Sequence, residues 1–245
     1  MKKLLYTISF CLSILISHIA KSQTRSWQWA RHPDGHLTGY TYPAISADVN
    51  GHTYVTGGFD GTLTFPTSPS PTVLTSAGES DVFIAKYDAM GNVVWAKRAG
   101  GSHGDFADAI KYDGFGNIYI AGNYSTSTDF DGTILSNSAS ARNNVFIAKY
   151  SASNGNLIWI KQGTTTSCCV DQNAIAITVD VSGNAYVTGG FTNITFDPLP
   201  KMYANGSSEF NGGWPDIFVV KYNSDGVPQW QISAGTNEPS HYYNF

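Results

Sequence analysis

The chain has 245 residues, with 14 Lys and Arg against 18 Asp and Glu, a net charge of −4, and only 13% charged side chains. An acidic, charge-poor surface lacks the clustered cations that nucleic-acid binding needs, so that class of partner is excluded. Glutamate occurs only at Glu79, Glu209 and Glu238, and this scarcity of helix formers beside plentiful Val, Ile, Thr and Tyr predicts an all-β chain.

Residues 1–22 read as a signal peptide: Lys2-Lys3, an apolar run from Leu4 to Ile19, then small residues at Ala20 and Ser22 ahead of a cut before Gln23. The run is interrupted by Ser9, Ser13, Ser17 and His18 and is short for a membrane span. An exported product, secreted or at the cell surface and without a span in the mature chain, is therefore expected. Cleavage removes Lys2, Lys3 and Lys21 and no acid, so 11 basic side chains face 18 acidic ones and the mature charge is −7. Cys11 lies in the leader without a lipoprotein cleavage context.

From residue 23 onward, one unit of about 66 residues recurs. The first copy carries His52-Thr53-Tyr54-Val55-Thr56-Gly57-Gly58-Phe59, then Asp81-Val82-Phe83-Ile84-Ala85-Lys86-Tyr87, then Trp95. The second has Asn117-Ile118-Tyr119-Ile120-Ala121-Gly122-Asn123-Tyr124, Asn144-Val145-Phe146-Ile147-Ala148-Lys149-Tyr150 and Trp159. The third has Asn184-Ala185-Tyr186-Val187-Thr188-Gly189-Gly190-Phe191, Asp216-Ile217-Phe218-Val219-Val220-Lys221-Tyr222 and Trp230. The copies run approximately over 29–95, 95–159 and 159–230, with an incomplete copy over 231–245.

Two hairpins per copy follow from the turn chemistry. Asp48-Val49-Asn50-Gly51, Asp113-Gly114-Phe115-Gly116 and Asp180-Val181-Ser182-Gly183 close the first hairpins. Asp88-Ala89-Met90-Gly91, Ser153-Asn154-Gly155 and Asn223-Ser224-Asp225-Gly226 close the second. An Asp or Asn that opens a turn accepts its backbone amides, and a closing Gly takes the positive φ. Four strands per copy result. In Val82–Tyr87 both faces are largely apolar, as in a sheet stacked between two similar sheets. Alanines in Ala44-Ile45, Ala107–Ile110 and Ala174–Ile177 mark close approach of neighbouring sheets.

Length variation falls in two long connections, which are the places for binding functions. Phe65, Phe130 and Phe196 recur there and read as plugs beneath the connection rather than as parts of a calcium loop at Asp129-Phe130-Asp131-Gly132. Lys86, Lys149 and Lys221 read as packing residues with the ammonium reaching water. The pair His32 and His36, and His103 beside Asp105, lack the helix or nucleophile that metal or acyl-transfer chemistry requires. Features that occur once are Cys168-Cys169, which residue chemistry leaves open between a vicinal disulfide, links to other chains and free thiols, and the aromatics Tyr203, Phe210 and Trp214 among amide-rich loop residues. The aromatics form the candidate ligand-contact loop. No catalytic constellation, cofactor or metal set stands out.

The blocks Asp-x-x-Gly-Asn-x-Tyr-Val-x-Gly, Asp-x-Phe-Ile-Ala-Lys-Tyr and Gly-Asn-x-x-Trp resemble the bacterial β-propeller repeats called SBBP repeats. The resemblance covers about residues 27–245 and implies a multi-bladed propeller in a secreted or surface bacterial protein, with no defined activity. The expected fold is thus all-β: a partial β-propeller of about three four-stranded antiparallel blades plus the start of a fourth at Ser233–Asn237. Propellers normally close with more blades, so a truncated member that needs further blades or another chain to complete its ring is expected. The expected function is a non-catalytic scaffold or binding module for cell-surface glycan or protein partners. The competing expectation is part of a polysaccharide-active hydrolase or lyase whose site missing blades complete.

Overall fold

Three repeating sequence blocks become three repeating sheets. The computed structural model describes residues 29–38, 43–136, 143–165, 172–204 and 216–235, and their regular structure is all β-strand. In chain order the first copy gives β1 (Asp34–Leu37), β2 (Ala44–Ala47), β3 (Thr53–Phe65), β4 (Thr72–Thr75), β5 (Asp81–Tyr87) and β6 (Val93–Gly101). The second gives β7 (Asp105–Tyr112), β8 (Asn117–Tyr124), β9 (Ser127–Phe130), β10 (Thr133–Ser136), β11 (Asn144–Ser151) and β12 (Leu157–Gly163). The third gives β13 (Asn173–Val179), β14 (Ala185–Phe191), β15 (Asn193–Ile194), β16 (Met202–Tyr203), β17 (Asp216–Tyr222) and β18 (Pro228–Ala234). Antiparallel pairing in the orders β2-β3-β5-β6, β7-β8-β11-β12 and β13-β14-β17-β18 makes three four-stranded blades. Arg31–Phe245 form one unit. The leader at 1–22, Cys168, Cys169, Phe210, Trp214 and everything after Gly235 lie outside the described residues.

The turns form as their residues dictate. Asp180 Oδ1 accepts the amides of Ser182 and Asn184, both at 2.9 Å, and Oδ2 accepts Asn184 Nδ2 at 2.8 Å. Asp113 repeats the pattern with Phe115 and Asn117, and Asp88 with Met90 and Asn92. With its negative charge so well received, chiefly by the Asn184 side chain, the Asp180 carboxyl titrates at about 2. Gly183 closes this turn at φ 77, a conformation that favours glycine.

Alternation along the third strand of each blade divides the core. Val82 and Ile84 face the second blade and meet Phe146, Ala148 and Tyr150 of β11 in one apolar cluster. Val145 and Ile147 face the third blade and meet Phe218, Val220 and Tyr222 of β17 in the next. A strand that is apolar on both faces is thus buried on both, which is the stacking that the sequence pattern requires.

The long connections are hairpins in their own right. The far half of β3 pairs with β4, β9 with β10, and β15 with β16. Each also fastens to what precedes it: β9 pairs with β6 through Gly100↔Asp129 and Gly101↔Thr128, and Thr195 exchanges two backbone hydrogen bonds of 2.9 and 3.0 Å with Thr164 just past β12. Phe65, Phe130 and Phe196 are all fully buried beneath these hairpins. Phe196 packs on Phe218 with ring centroids 5.2 Å apart. Phe196→Ala is expected to cost about 3–5 kcal/mol, read as a lowered denaturant midpoint at constant slope. A loss no larger than that of Tyr203→Ala, at a half-exposed position on β16 of the same hairpin, would show that Phe196 is no plug.

Candidate functional site

Two of the recurring lysines, Lys86 and Lys149, are buried and do not reach water. Lys86 and Lys149 are each only 8% exposed, and each sits in a row of three side chains running across three adjacent strands. The rows are Tyr54, Lys86 and Trp95 in the first blade, then Tyr119, Lys149 and Trp159 in the second, set side by side by the strand register. Lys86 Nζ donates to Ala152 O at 3.0 Å, and Trp95 Nε1 reaches the same oxygen at 3.4 Å. One joint further on, Lys149 Nζ and Trp159 Nε1 both donate to Ser224 O at 3.0 Å. Ala152 and Ser224 occupy matching places in the turn between the third and fourth strands of the following blade. A buried ammonium needs acceptors, and besides the carbonyl each lysine has a tyrosine face, 5.5 Å from Lys86 to the Tyr54 centroid and 5.1 Å from Lys149 to Tyr119. Tyr119 adds a hydrogen bond of 2.9 Å from its hydroxyl to Gly183 O.

The third blade carries the same row, Tyr186, Lys221 and Trp230, again in register and with Lys221 Nζ 5.1 Å from the Tyr186 centroid. Its surroundings differ. Val82, Ile84, Val145 and Ile147 are 0% exposed, whereas Ile217 at the corresponding place is 58% exposed and Trp230 is 40% exposed. Ala176, Ile177, Tyr186, Thr188 and Val219 line a shallow apolar groove of about 280 Å³ on this face. Among the described residues, the third blade therefore presents a joint face in the open.

At the opposite rim the two joints differ in charge. Asp81 is buried, receives Arg98 Nη1 at 2.5 Å and the Ala77 amide at 2.9 Å, and has its carboxyl pushed up by burial against both of these partners. Asp105 crosses the joint, its side chain accepting the amides of Gly101 at 2.7 Å and Ser125 at 3.2 Å while its own N–H donates to Ser80 O at 2.8 Å. Burial outweighs those donors and raises the Asp105 carboxyl to about 7. In the second joint the matching positions hold neutral amides: Asn144 accepts the Thr165 amide at 3.2 Å, and Gln172 donates to Asn193 O.

The residues singled out from sequence separate into several places. Tyr203 lies on β16, half exposed, with Lys201 Nζ 4.9 Å over its ring. His36 lies on β1 and pairs with Asp60 at 2.9 Å, while exposed His32 contacts the Pro33 carbonyl. His103 contacts Ser102 and Thr126, so it and Asp105 are turned to different partners. Asp131 spans the first joint, at 3.3 Å from both Lys97 Nζ and the Leu157 amide, and Asp129 Oδ1 accepts the Gly132 amide. Around Asp131 an open groove of about 740 Å³ is lined by Lys97, Thr133, Asn156, Ile158 and Trp159. Among the described residues no group of three His, Cys, Asp or Glu is gathered as a metal site, and no helix is long and apolar enough to cross a membrane.

Sheets stacked face to face and joined by a repeated side-chain row define a β-propeller-type repeat protein. No family model matches the chain. Over 176 residues, 66% of its length, it is 26% identical to an uncharacterized WD repeat-containing protein of Acanthamoeba polyphaga mimivirus, and the match spans 12% of that relative. The similarity supports a propeller-like repeat.

Proposed function

We propose that the chain is an exported, non-catalytic β-propeller scaffold or binding module that meets protein or glycan partners at a cell surface. One observation carries this reading: the side chains that recur in every copy go into turns, plugs and joints, which leaves contact with other molecules to what differs between copies. The groove around Asp131 is the place best equipped for such contact. Its ion pair, the Thr133 hydroxyl and the Asn156 amide offer the mixture of donors and acceptors that holds a sugar or a peptide. The leader at 1–22 and the SBBP-type motifs support placement outside the cell.

The test is to recover the full chain from a secreting bacterial host, read its N-terminus, and assay it against surface polysaccharides and surface proteins for both binding and turnover. The expected result is a product beginning at Gln23, saturable binding without turnover, and a dissociation constant raised roughly tenfold by Asn156→Ala. Cleavage of any polysaccharide would overturn the non-catalytic reading in favour of a hydrolase or lyase.

A further inference from the structure

We propose that the open face of the third blade is a docking face for one further blade of this same repeat, with Lys221 and Trp230, beside Tyr186, gripping a backbone carbonyl in the turn between its third and fourth strands. The inference rests on the propeller reading. Its occupant is specified by the protein itself, which shows the same face covered twice. In both joints the covering element is a four-stranded blade, the gripped atom is a carbonyl in the same turn, and two donors converge on it. The apolar surface that meets the face is also the same each time: Phe146, Ala148 and Tyr150 in one joint, Phe218, Val220 and Tyr222 in the other.

Lys221 and Trp230 keep the register that in the earlier blades brings the ammonium and the indole N–H onto one oxygen. A solvated outer face would gain from polar residues where this one has Ile217, Val219 and Ile232. One difference narrows the occupant further. Lys97 of the first blade pairs with Asp131 of the second, but the corresponding strand position in the third blade is Ile232. The incoming blade is therefore expected to present an apolar residue, not an acid, at the hairpin position that Asp131 holds in the second.

The test compares the full chain with an extended one in which residues 164–235 are repeated after Gly235, so that the added blade brings the required turn. Hydroxyl-radical footprinting read by mass spectrometry reports side-chain exposure residue by residue. In the full chain Ile217, Trp230 and Ile232 should label strongly and Val82 and Ile84 weakly. In the extended chain the original three should fall to the level of Val82, and Ile217→Asp should restore labelling at Trp230 and Ile232. Lys221→Ala, a change on the open face, should restore it in part. Unchanged labelling in the extended chain overturns the proposal, as does continued protection in the Ile217→Asp variant. Shielding of these residues in the unextended chain together with a doubled mass by light scattering also overturns it, because a second copy would then be the occupant. Failure of the propeller reading is distinguishable, since Val82 and Ile84 would then label as strongly as Ile217.

Discussion

Gly122→Ala is expected to destabilise the second blade by about 3 kcal/mol or more, a large part of what holds a typical domain folded. A Cβ at Gly122 would fall inside the van der Waals shell of the Phe106 carbonyl oxygen and 2.8 Å from Ala107 Cα. Both obstacles are backbone, so no rotamer change relieves them. Their position follows from a bulge: β7 pairs Ala107 with Gly122 and then Ala109 with Ala121, and Asp108 is the extra residue. The third blade repeats the device, with Ala174 and Ala176 flanking Ile175 and the Asn173 carbonyl against Gly189. Gly132→Asn provides the contrast, because its turn position is open and the cost is confined to the backbone, where asparagine suffers less than other side chains at a φ of 88. Guanidinium unfolding should separate the two variants clearly. Equal midpoints would mean that the bulge yields easily and that the recurring glycine has another purpose.

Asp105→Asn is expected to stabilise the protein at pH 8 by about 2–4 kcal/mol and to give no gain at pH 4. Burial holds the Asp105 carboxyl at about 7 in the folded state, against its ordinary value of 3.8. An acid whose folded value is raised contributes stability that is complete below about pH 4 and is lost as pH rises through about 7. Removing the titration removes that loss. The groups facing Asp105 are Asp81, which raises it further, and the Gly101 and Ser125 amides and the Thr128 hydroxyl, which lower it. Arg98 is engaged by Asp81. Thermal midpoints measured against pH for parent and variant give the answer, and parallel curves would show that Asp105 ionises freely in the folded protein. The neighbouring joint indicates that an amide can serve, since Gln172 and Asn144 stand where Asp105 and Asp81 do.

Much of the blade was legible in the residues because its determinants are local. Asp48, Asp113 and Asp180 open turns whose bonds span four residues or fewer, and the alternation in Val82–Tyr87 states directly that both faces are covered. The plugs at Phe65, Phe130 and Phe196 were legible by recurrence. What escaped depends on distant partners. The hairpin of β9 and β10 is built on Ser127-Thr128-Asp129, a weak strand signal that becomes a strand by pairing with β6. Lys86 packs as its strand position predicts, but its ammonium turns away from water to an acceptor 66 residues along the chain, whereas reaching water is the ordinary fate of a strand lysine. The recurrence of Tyr54, Lys86 and Trp95 at fixed spacing was the available signal. Their convergence on one oxygen becomes visible only when two blades are stacked. Of the candidate ligand-contact loop, only Tyr203 lies among the described residues.

The second blade carries both halves of the joint, the donor row of Lys149 and Trp159 on one side and the acceptor turn at Ala152 on the other. A gene segment encoding such a blade can be multiplied without inventing a new contact, because every added copy arrives already matched to its neighbour. Array length can then change by whole units while the mode of assembly stays the same, and selection is free to act on the hairpins that decorate each unit.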